Sequence, residues 1–367
     1  MSSKNFPIED LLKLYNAPNV GPTTYIALVD EFGSPAEVFG KTSGELSKFK
    51  GITTERADAI LSVESKEFVS SQLEAIERSG CRLVSYWSDE YPSRLKAIYD
   101  PPPFYFIKGE ITEDDAYSLA VVGTRGVTSY GKVMTEKIVT ELAREGLTII
   151  SGLASGVDTL AHKAALNIGG RSIGVLGSGL DRIYPQENVG LSAKLIEKGA
   201  LISEFPMGTS PDRGNFPQRN RIISGLSLGT LVIEGDVKSG ALITAYYAVD
   251  QNREVFALPG RADSRASRGP HRLIRSGAKL VTEAEDILSE LEAIADVKRK
   301  PRQTKLDFDL TSDEQAIMTL LNTEPMHIDD IAEKTSATTS LTLATLLGLE
   351  LRSIIRQLPG KMFVSLV

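Results

Sequence analysis

The chain is poor in the residues that build metal cages and covalent staples. Its one cysteine, Cys81, excludes an internal disulfide and a cysteine-based zinc site. Its three histidines, His162, His271 and His327, are too scattered to suggest a metal centre. No run of about 18 apolar residues occurs, so no membrane span is expected. The opening MSSKNFPIED lacks a basic segment followed by an apolar one, and no secretory leader is visible. A cytoplasmic, soluble protein without a metal or other cofactor is the expectation.

What is there suits a globular chain. Of 367 residues, 41% are apolar and 24% charged, enough for a sizeable core. At roughly 150 residues per domain, two or three domains are expected. The net charge of −7 argues against a polyanion partner until it is resolved along the chain. Residues 213–279 hold 11 Lys and Arg against 5 Asp and Glu, whereas residues 306–367 hold 4 against 9. Residues 1–70 hold 7 against 10. A basic middle between two acidic ends leaves the middle as the place for an anion, because local charge decides attraction.

Residues 1–78 read as a helical domain. Apolar residues recur at helical spacing in IEDLLKLYNA, and two tight glycine turns, Val20-Gly21 and Gly51-Ile52, precede Thr-rich helix starts. The pattern resembles paired helix–hairpin–helix, or SAM-like, modules. Such a module either holds a phosphate on its turns or simply packs. Residues 79–295 read as a second domain. It opens with two strands, CRLVSYW and FYFIKG, on either side of Pro101–Pro103. Six apolar strands then alternate with helices: SLAVVGTR, LTIISGLAS, RSIGVLGSG, ALISEFP, GTLVIEG and EVFALPG. Continuous apolar runs separated by helices predict an α/β fold with a doubly wound, Rossmann-like parallel sheet. Residues 296–309 form a charged, proline-broken linker, expected to leave the C-terminal module mobile. Residues 310–367 predict three helices and a hairpin turning at Pro359-Gly360, a winged-helix pattern.

Glycines gather where the central strands end. They stand beside small polar residues at Gly123-Thr124, Ser151-Gly152 and Gly177-Ser178-Gly179. In open parallel sheets, ligands bind beyond these ends, where helix N-termini point. Glycine turns there are expected to leave room for a ligand close to the backbone. Arg125 follows the first turn, Phe216, Arg219, Asn220 and Arg221 follow the fourth strand, and Lys238-Ser239-Gly240 opens the helix after the fifth. Arginine grips phosphate, and an exposed phenylalanine stacks on a base. Each of these residues could equally be an ion-pair partner or core. GSGLDR gives only half of a dinucleotide fingerprint.

Catalytic constellations are thin, and no catalytic residue is assigned. Asp158 and His162 lie one helical turn apart, with Ser151 nearby, and could hydrogen-bond as a pair. The G-x-S-x-G elbow of a hydrolase is missing, and His162 reads better as a brace for its helix or loop. Glu204 and Glu234 at strand ends could hold a metal, but they come singly from separate loops.

Six segments carry a resemblance. VVGTRGVTSYG, SGLASGVDTLAHKAAL, GVLGSGLDRIYPQEN, LISEFPMGTSPDRGNFPQRNRIISGLS, VIEGDVKSGALITA and REVFALPG occur in this order. Together they resemble the DNA-processing protein A family (DprA, or Smf), strongly over residues 118–290. The chain departs from the family's usual pattern at Ala241, where Ser is commoner, and at His271, where Asn is. The resemblance implies a non-enzymatic role in natural transformation. Such a protein binds incoming single-stranded DNA, shields it and helps load the RecA recombinase. It also implies an extended Rossmann fold and a homodimer. Carried over by motif, the strand-binding residues are Gly123, Thr124, Arg125, Phe216, Arg219, Asn220, Arg221, Lys238, Ser239 and Gly240.

Two other classes compete. The sheet-end layout is similar to the lonely-guy phosphoribohydrolases of nucleoside monophosphates, but the helix after Ser239-Gly240 reaches no acid until Asp250. A winged-helix transcription regulator would need more charge than Arg352 alone supplies in TSLTLATLLGLELRSII. That helix is instead expected to cover a protein surface. Within FPQRNR, Arg219 and Arg221 stand about 200° apart if helical. One is therefore expected to hold phosphate and the other to pair with Glu204 or Glu234.

Overall fold

A computed structural model describes residues 4–294, 310–321, 325–335, 337–352, 354–358 and 360–365. The linker assigned to residues 296–309 and the turn residue Pro359 lie outside the described residues. The chain forms two compact units, Met1–Thr304 and Lys305–Val367.

The first unit begins with six helices: α1 (Ile8–Tyr15), α2 (Pro22–Phe32), α3 (Pro35–Phe39), α4 (Ser43–Leu46), α5 (Thr54–Leu61) and α6 (Lys66–Ser79). Local chemistry explains the starts. Pro22 stands at the first position of α2, and the Thr53 side chain accepts from the Arg56 amide to cap α5. The two glycine turns expected from sequence therefore lie where helices begin. These helices do not close a core of their own. Leu11, Leu28 and Tyr25 share one apolar cluster with Phe104, Leu176 and Leu201 of the sheet region. Polar pins fix the contact: Gln72 accepts from the Met207 amide at 2.8 Å, and Trp87 donates to Asp30 at 2.8 Å.

After α6 come β1 (Arg82–Ser85), a short α7 (Ser93–Lys96) and β2 (Phe104–Gly109). Then strand and helix alternate: β3 (Ser118–Val122), α8 (Ser129–Arg144), β4 (Thr148–Ser151), α9 (Val157–Asn167), β5 (Ser172–Val175), α10 (Val189–Lys198), β6 (Gly199–Ser203), α11 (Asn215–Leu226), β7 (Gly229–Val232), α12 (Gly240–Asp250), β8 (Glu254–Ala257), α13 (Arg268–Arg275), β9 (Lys279–Leu280) and α14 (Glu285–Ile294). The nine strands form one sheet in the order β1-β2-β6-β5-β4-β3-β7-β8-β9. Strands β3 to β9 pair in parallel, whereas β1 and β2 run antiparallel at one edge. The sheet is thus mixed and parallel-dominant.

Burial on both faces explains the unbroken apolar strands. On β3, Leu119 and Val121 face Ile138, Leu142 and Ala161 of α8 and α9. Ala120 and Val122 face the opposite cluster, with Ile222, Ile223 and Leu242 of α11 and α12. Each fully buried aliphatic side chain contributes about 1.5–3 kcal/mol relative to exposure.

The second unit holds α15 (Ser312–Leu320), β10 (Met326–His327), α16 (Ile328–Thr335), α17 (Thr339–Leu351), β11 (Ile355–Leu358) and β12 (Met362–Ser365). Ile317, Ile331, Leu346, Leu349 and Phe363 make its core. Three helices and a hairpin turning through Gly360, at φ +84°, give the winged helix expected from sequence.

Candidate nucleic-acid interface

The strand order creates a crevice. β3 and β7 are neighbours, but β3 leads through α8 toward β4, and β7 leads through α12 toward β8. The chain diverges at their carboxyl ends, the topological switch point of an open α/β sheet. Gly123, Thr124 and Arg125 leave β3 at this edge, and Lys238 and Ser239 precede α12. The Ser239 side chain caps α12 by accepting from the Ala241 amide.

An exposed layer stands on this edge. The Arg125 guanidinium lies 5.3 Å from the centroid of the Phe216 ring. Tyr184 approaches the same ring at 6.0 Å. Phe216 sits on the first turn of α11 and is half-buried, so part of its ring is free. It leans on Gly177: a Cβ there would stand 2.9 Å from the ring. Arg125, Arg182, Arg213 and Lys238 are all exposed. Sequence reasoning passed over Tyr184, Arg182 and Arg213. The run LDRIYP directly after Gly177-Ser178-Gly179 carried the signal for the first two, an aromatic close to a cation at a strand end.

A buried layer lies beneath. Arg219 is 4% exposed. Its Nη1 donates to the carbonyl of Gly152 at 2.7 Å and to that of Val175, tying the ends of β4 and β5 together. Burial pulls its pKa down to about 10, against the pull of Asp158. A Cβ on Gly152 would stand 2.5 Å from this guanidinium. The turns at Gly152 and Gly177 thus make room for the protein's own Arg219 and Phe216, where sequence led us to expect room for a ligand. Asn220 donates to the Gly240 carbonyl at 3.3 Å and fastens α11 to α12.

Arg221 is 1% exposed. Nη1 and Nη2 donate to the two carboxylate oxygens of Glu204, each at 2.7 Å, and Nε donates to Asp100 Oδ2 at 2.9 Å. Burial pushes the Glu204 carboxyl up, and Arg221 opposes that push. Arg221 is therefore the acid-paired arginine of the two. Ser151 is buried and donates to the Val121 carbonyl at 2.6 Å. Ser178 is also buried and donates to the Arg182 carbonyl at 2.7 Å. Gly179 donates its amide to the Thr209 carbonyl.

Asp158 and His162 serve different partners. Asp158 accepts from the amides of Gly152 and Ala154, at 3.1 and 3.4 Å. His162 Nδ1 lies 2.7 Å from Ser172 Oγ and so braces α9 against β5. Burial pushes its pKa down to about 3. Glu234 accepts from the amide and hydroxyl of Thr128, at 2.9 and 2.5 Å, and so braces the N-terminus of α8. Among the described residues, no group of three or more His, Cys, Asp and Glu side chains is placed to hold a metal. No helix of the described residues is long and apolar enough to cross a membrane.

Fold and site together define a mixed, parallel-dominant α/β sheet protein with a cation–aromatic surface over its strand ends and a winged helix in its second unit. Comparison with known proteins sharpens this class. The family described as DNA recombination-mediator protein A matches residues 82–292, and the DprA winged helix domain matches residues 301–361. The chain is 41% identical to Protein Smf of Escherichia coli over 315 residues, covering 84% of each chain. It is 46% identical to DNA processing protein DprA of Bacillus subtilis over 220 residues, 60% of this chain and 74% of that one. The X-ray structure of DprA from Streptococcus pneumoniae superposes with a TM-score of 0.68 at 34% identity, over 78% of this chain and 99% of that one. A Helicobacter pylori DprA structure, described for its single-stranded DNA binding mode, superposes with a TM-score of 0.53 at 29% identity, over 58% and 96%. This chain belongs to the DprA family of DNA-processing proteins.

Proposed function

We propose that this protein binds single-stranded DNA along the carboxyl edge of its sheet, without catalysis, and passes the strand to the RecA recombinase. One observation carries the reading: Arg125 and Phe216 form an exposed cation–aromatic pair over the strand ends, 5.3 Å apart. An aromatic face takes an unpaired base, and a guanidinium beside it takes the adjoining phosphate. Arg182, Arg213 and Lys238 extend the positive surface. In duplex DNA the base faces are stacked on one another, so this pair favours the single strand. The relative from Helicobacter pylori, described for its single-stranded DNA binding mode, supports the same reading.

In this reading Gly123, Thr124, Ser239 and Gly240 offer backbone close to the strand. Gly152, Gly177, Ser178, Gly179, Ser151, Arg219, Asn220 and Arg221 hold the platform beneath it. The protein acts as a homodimer, for which Tyr246 and Val249 supply an exposed apolar pair three residues apart on α12. Mobility shift of labelled single and double strands, as salt is raised, tests the reading. Single strand should bind more tightly at every salt concentration, with affinity falling steeply as counterions are released. Equal affinity for both forms would contradict it.

A further inference from the structure

We infer that the strand has a second stop on this edge, a nucleobase pocket at the switch point itself. The inference rests on the strand-binding reading above. A cavity of about 710 Å³ opens between the start of α8 and the segment after β8, lined by Thr128, Tyr130, Glu234, Gly260, Ser264 and Ser267. Its size falls within the range of small-molecule sites.

Four features name the occupant. Tyr130 is 47% exposed, yet its hydroxyl donates to the Pro259 carbonyl at 2.9 Å. The ring is thus fastened across the two walls while nearly half of the residue stays accessible, which suits it as a stacking platform. Second, the wall carries a carboxylate. Glu234 is only 3% exposed and accepts twice from Thr128, but a carboxylate has about four acceptor positions, so capacity remains for a donor edge that enters the pocket. Third, that negative charge repels a phosphate from the interior and leaves a neutral ring as the fitting guest. Fourth, phosphate has its place outside, where Arg261, Arg265 and Arg268 are exposed. Among the described residues, Arg261 pairs with the exposed Asp263 and Arg265 with the half-buried Asp236. Such solvent-facing pairs are weak and exchange readily for phosphate.

The pocket is within reach of the same strand. Thr124 and Thr128 are four residues apart, at most about 14 Å along the chain. A strand crossing Arg125 and Phe216 therefore reaches the pocket within a few nucleotides. Guanine offers two adjacent donors on its pairing edge, N1–H and N2–H, whereas thymine offers one donor between two carbonyls. A carboxylate wall prefers guanine.

The test uses the full chain and fluorescence anisotropy with labelled thymine strands of roughly 2 and roughly 16 nucleotides, the longer with or without one central guanine. Wild type should bind the guanine-bearing strand about 10-fold more tightly. Tyr130→Ala and Ser264→Trp, which fills the mouth, should each erase that advantage while leaving the short strand and the melting temperature unchanged. No guanine advantage in the wild type, or one that survives both substitutions, overturns the pocket. If Arg125→Ala still weakens every strand in that case, the groove reading stands without it. If Arg125→Ala changes nothing while the guanine advantage persists and both pocket variants erase it, the groove reading fails and the pocket stands. Free dGMP distinguishes the source of the base. Saturable dGMP binding that Ser264→Trp abolishes, with strand affinity untouched by both variants, makes the guest a free nucleotide and overturns the inference.

Discussion

The two layers of the carboxyl edge use the same residue types for opposite ends. In the upper layer, Arg125 stands over the half-buried Phe216, and Arg182, Arg213 and Lys238 also face solvent. In the lower layer, Arg219 and Arg221 are buried, one on backbone carbonyls and the other on Glu204 and Asp100. A single motif, FPQRNR, feeds both layers: its phenylalanine serves the surface and its arginines serve the support. Charge in a motif therefore does not by itself mark a ligand contact. Exposure decides whether a guanidinium is offered to a strand or committed to the fold.

The sharpest way to break this comparison is Arg221→Ala. It leaves the nearly buried Glu204 carboxylate without its partner, and losing one member of a buried pair costs about 3–5 kcal/mol. Denaturant unfolding should show that loss. Binding by whatever protein remains folded should be little changed. A large affinity loss at unchanged stability would move Arg221 into the upper layer.

The next effect concerns pH. His162 has a folded-state pKa of about 3, below the unfolded value of 6.5. A depressed value means the folded state favours neutral imidazole. The stability is present above pH 6.5 and is lost as pH falls toward 3, at about 1.4 kcal/mol per unit. Between pH 6.5 and 5 the wild type should lose about 2 kcal/mol more than His162→Gln. Parallel pH profiles for the two proteins would contradict the buried, neutral brace.

Upper-layer substitutions come third. Phe216→Ala should weaken single-strand affinity by about 1–3 kcal/mol, the worth of a stacked base. Its stability should stay near the wild type, because the ring is only half-buried. The smallest effect belongs to the winged helix. Residues 306–367 carry an acid excess of 5, from 9 acids against 4 bases, and α17 exposes Leu341, Leu343 and Leu347. A chain ending at residue 295 should keep its single-strand affinity within about twofold, since like charge gives that unit poor attraction for phosphate. Abolished binding by a truncated protein that stays folded would give the winged helix a direct DNA role.

Much of this was legible in sequence. The parallel strands announce themselves because both faces are buried, which forces unbroken apolar runs such as Leu119–Val122. That Arg219 and Arg221 take different partners follows from helical geometry, although the phosphate expected for one of them gives way to the backbone carbonyls of Gly152 and Val175. Which arginine takes which part does not, because Glu204 and Asp100 reach Arg221 from 17 and 121 residues away. Nor does sequence reveal that Arg219 too is buried, since its partners are backbone carbonyls and leave no trace in residue type. The glycines were misleading for a related reason: a turn that admits a ligand and one that admits Phe216 look the same in sequence. The N-terminal helices read as a separate domain because their pattern is amphipathic. Their apolar faces in fact meet Phe104, Leu176 and Leu201, a contact that no local window contains.

The central claim is that the exposed layer holds the strand. Its most direct test is the salt dependence of single-strand affinity for the wild type and Arg125→Ala, measured side by side. If Arg125 neutralises a phosphate, the variant should bind more weakly, and the slope of log affinity against log salt should fall by about one. An unchanged slope and affinity would contradict the account.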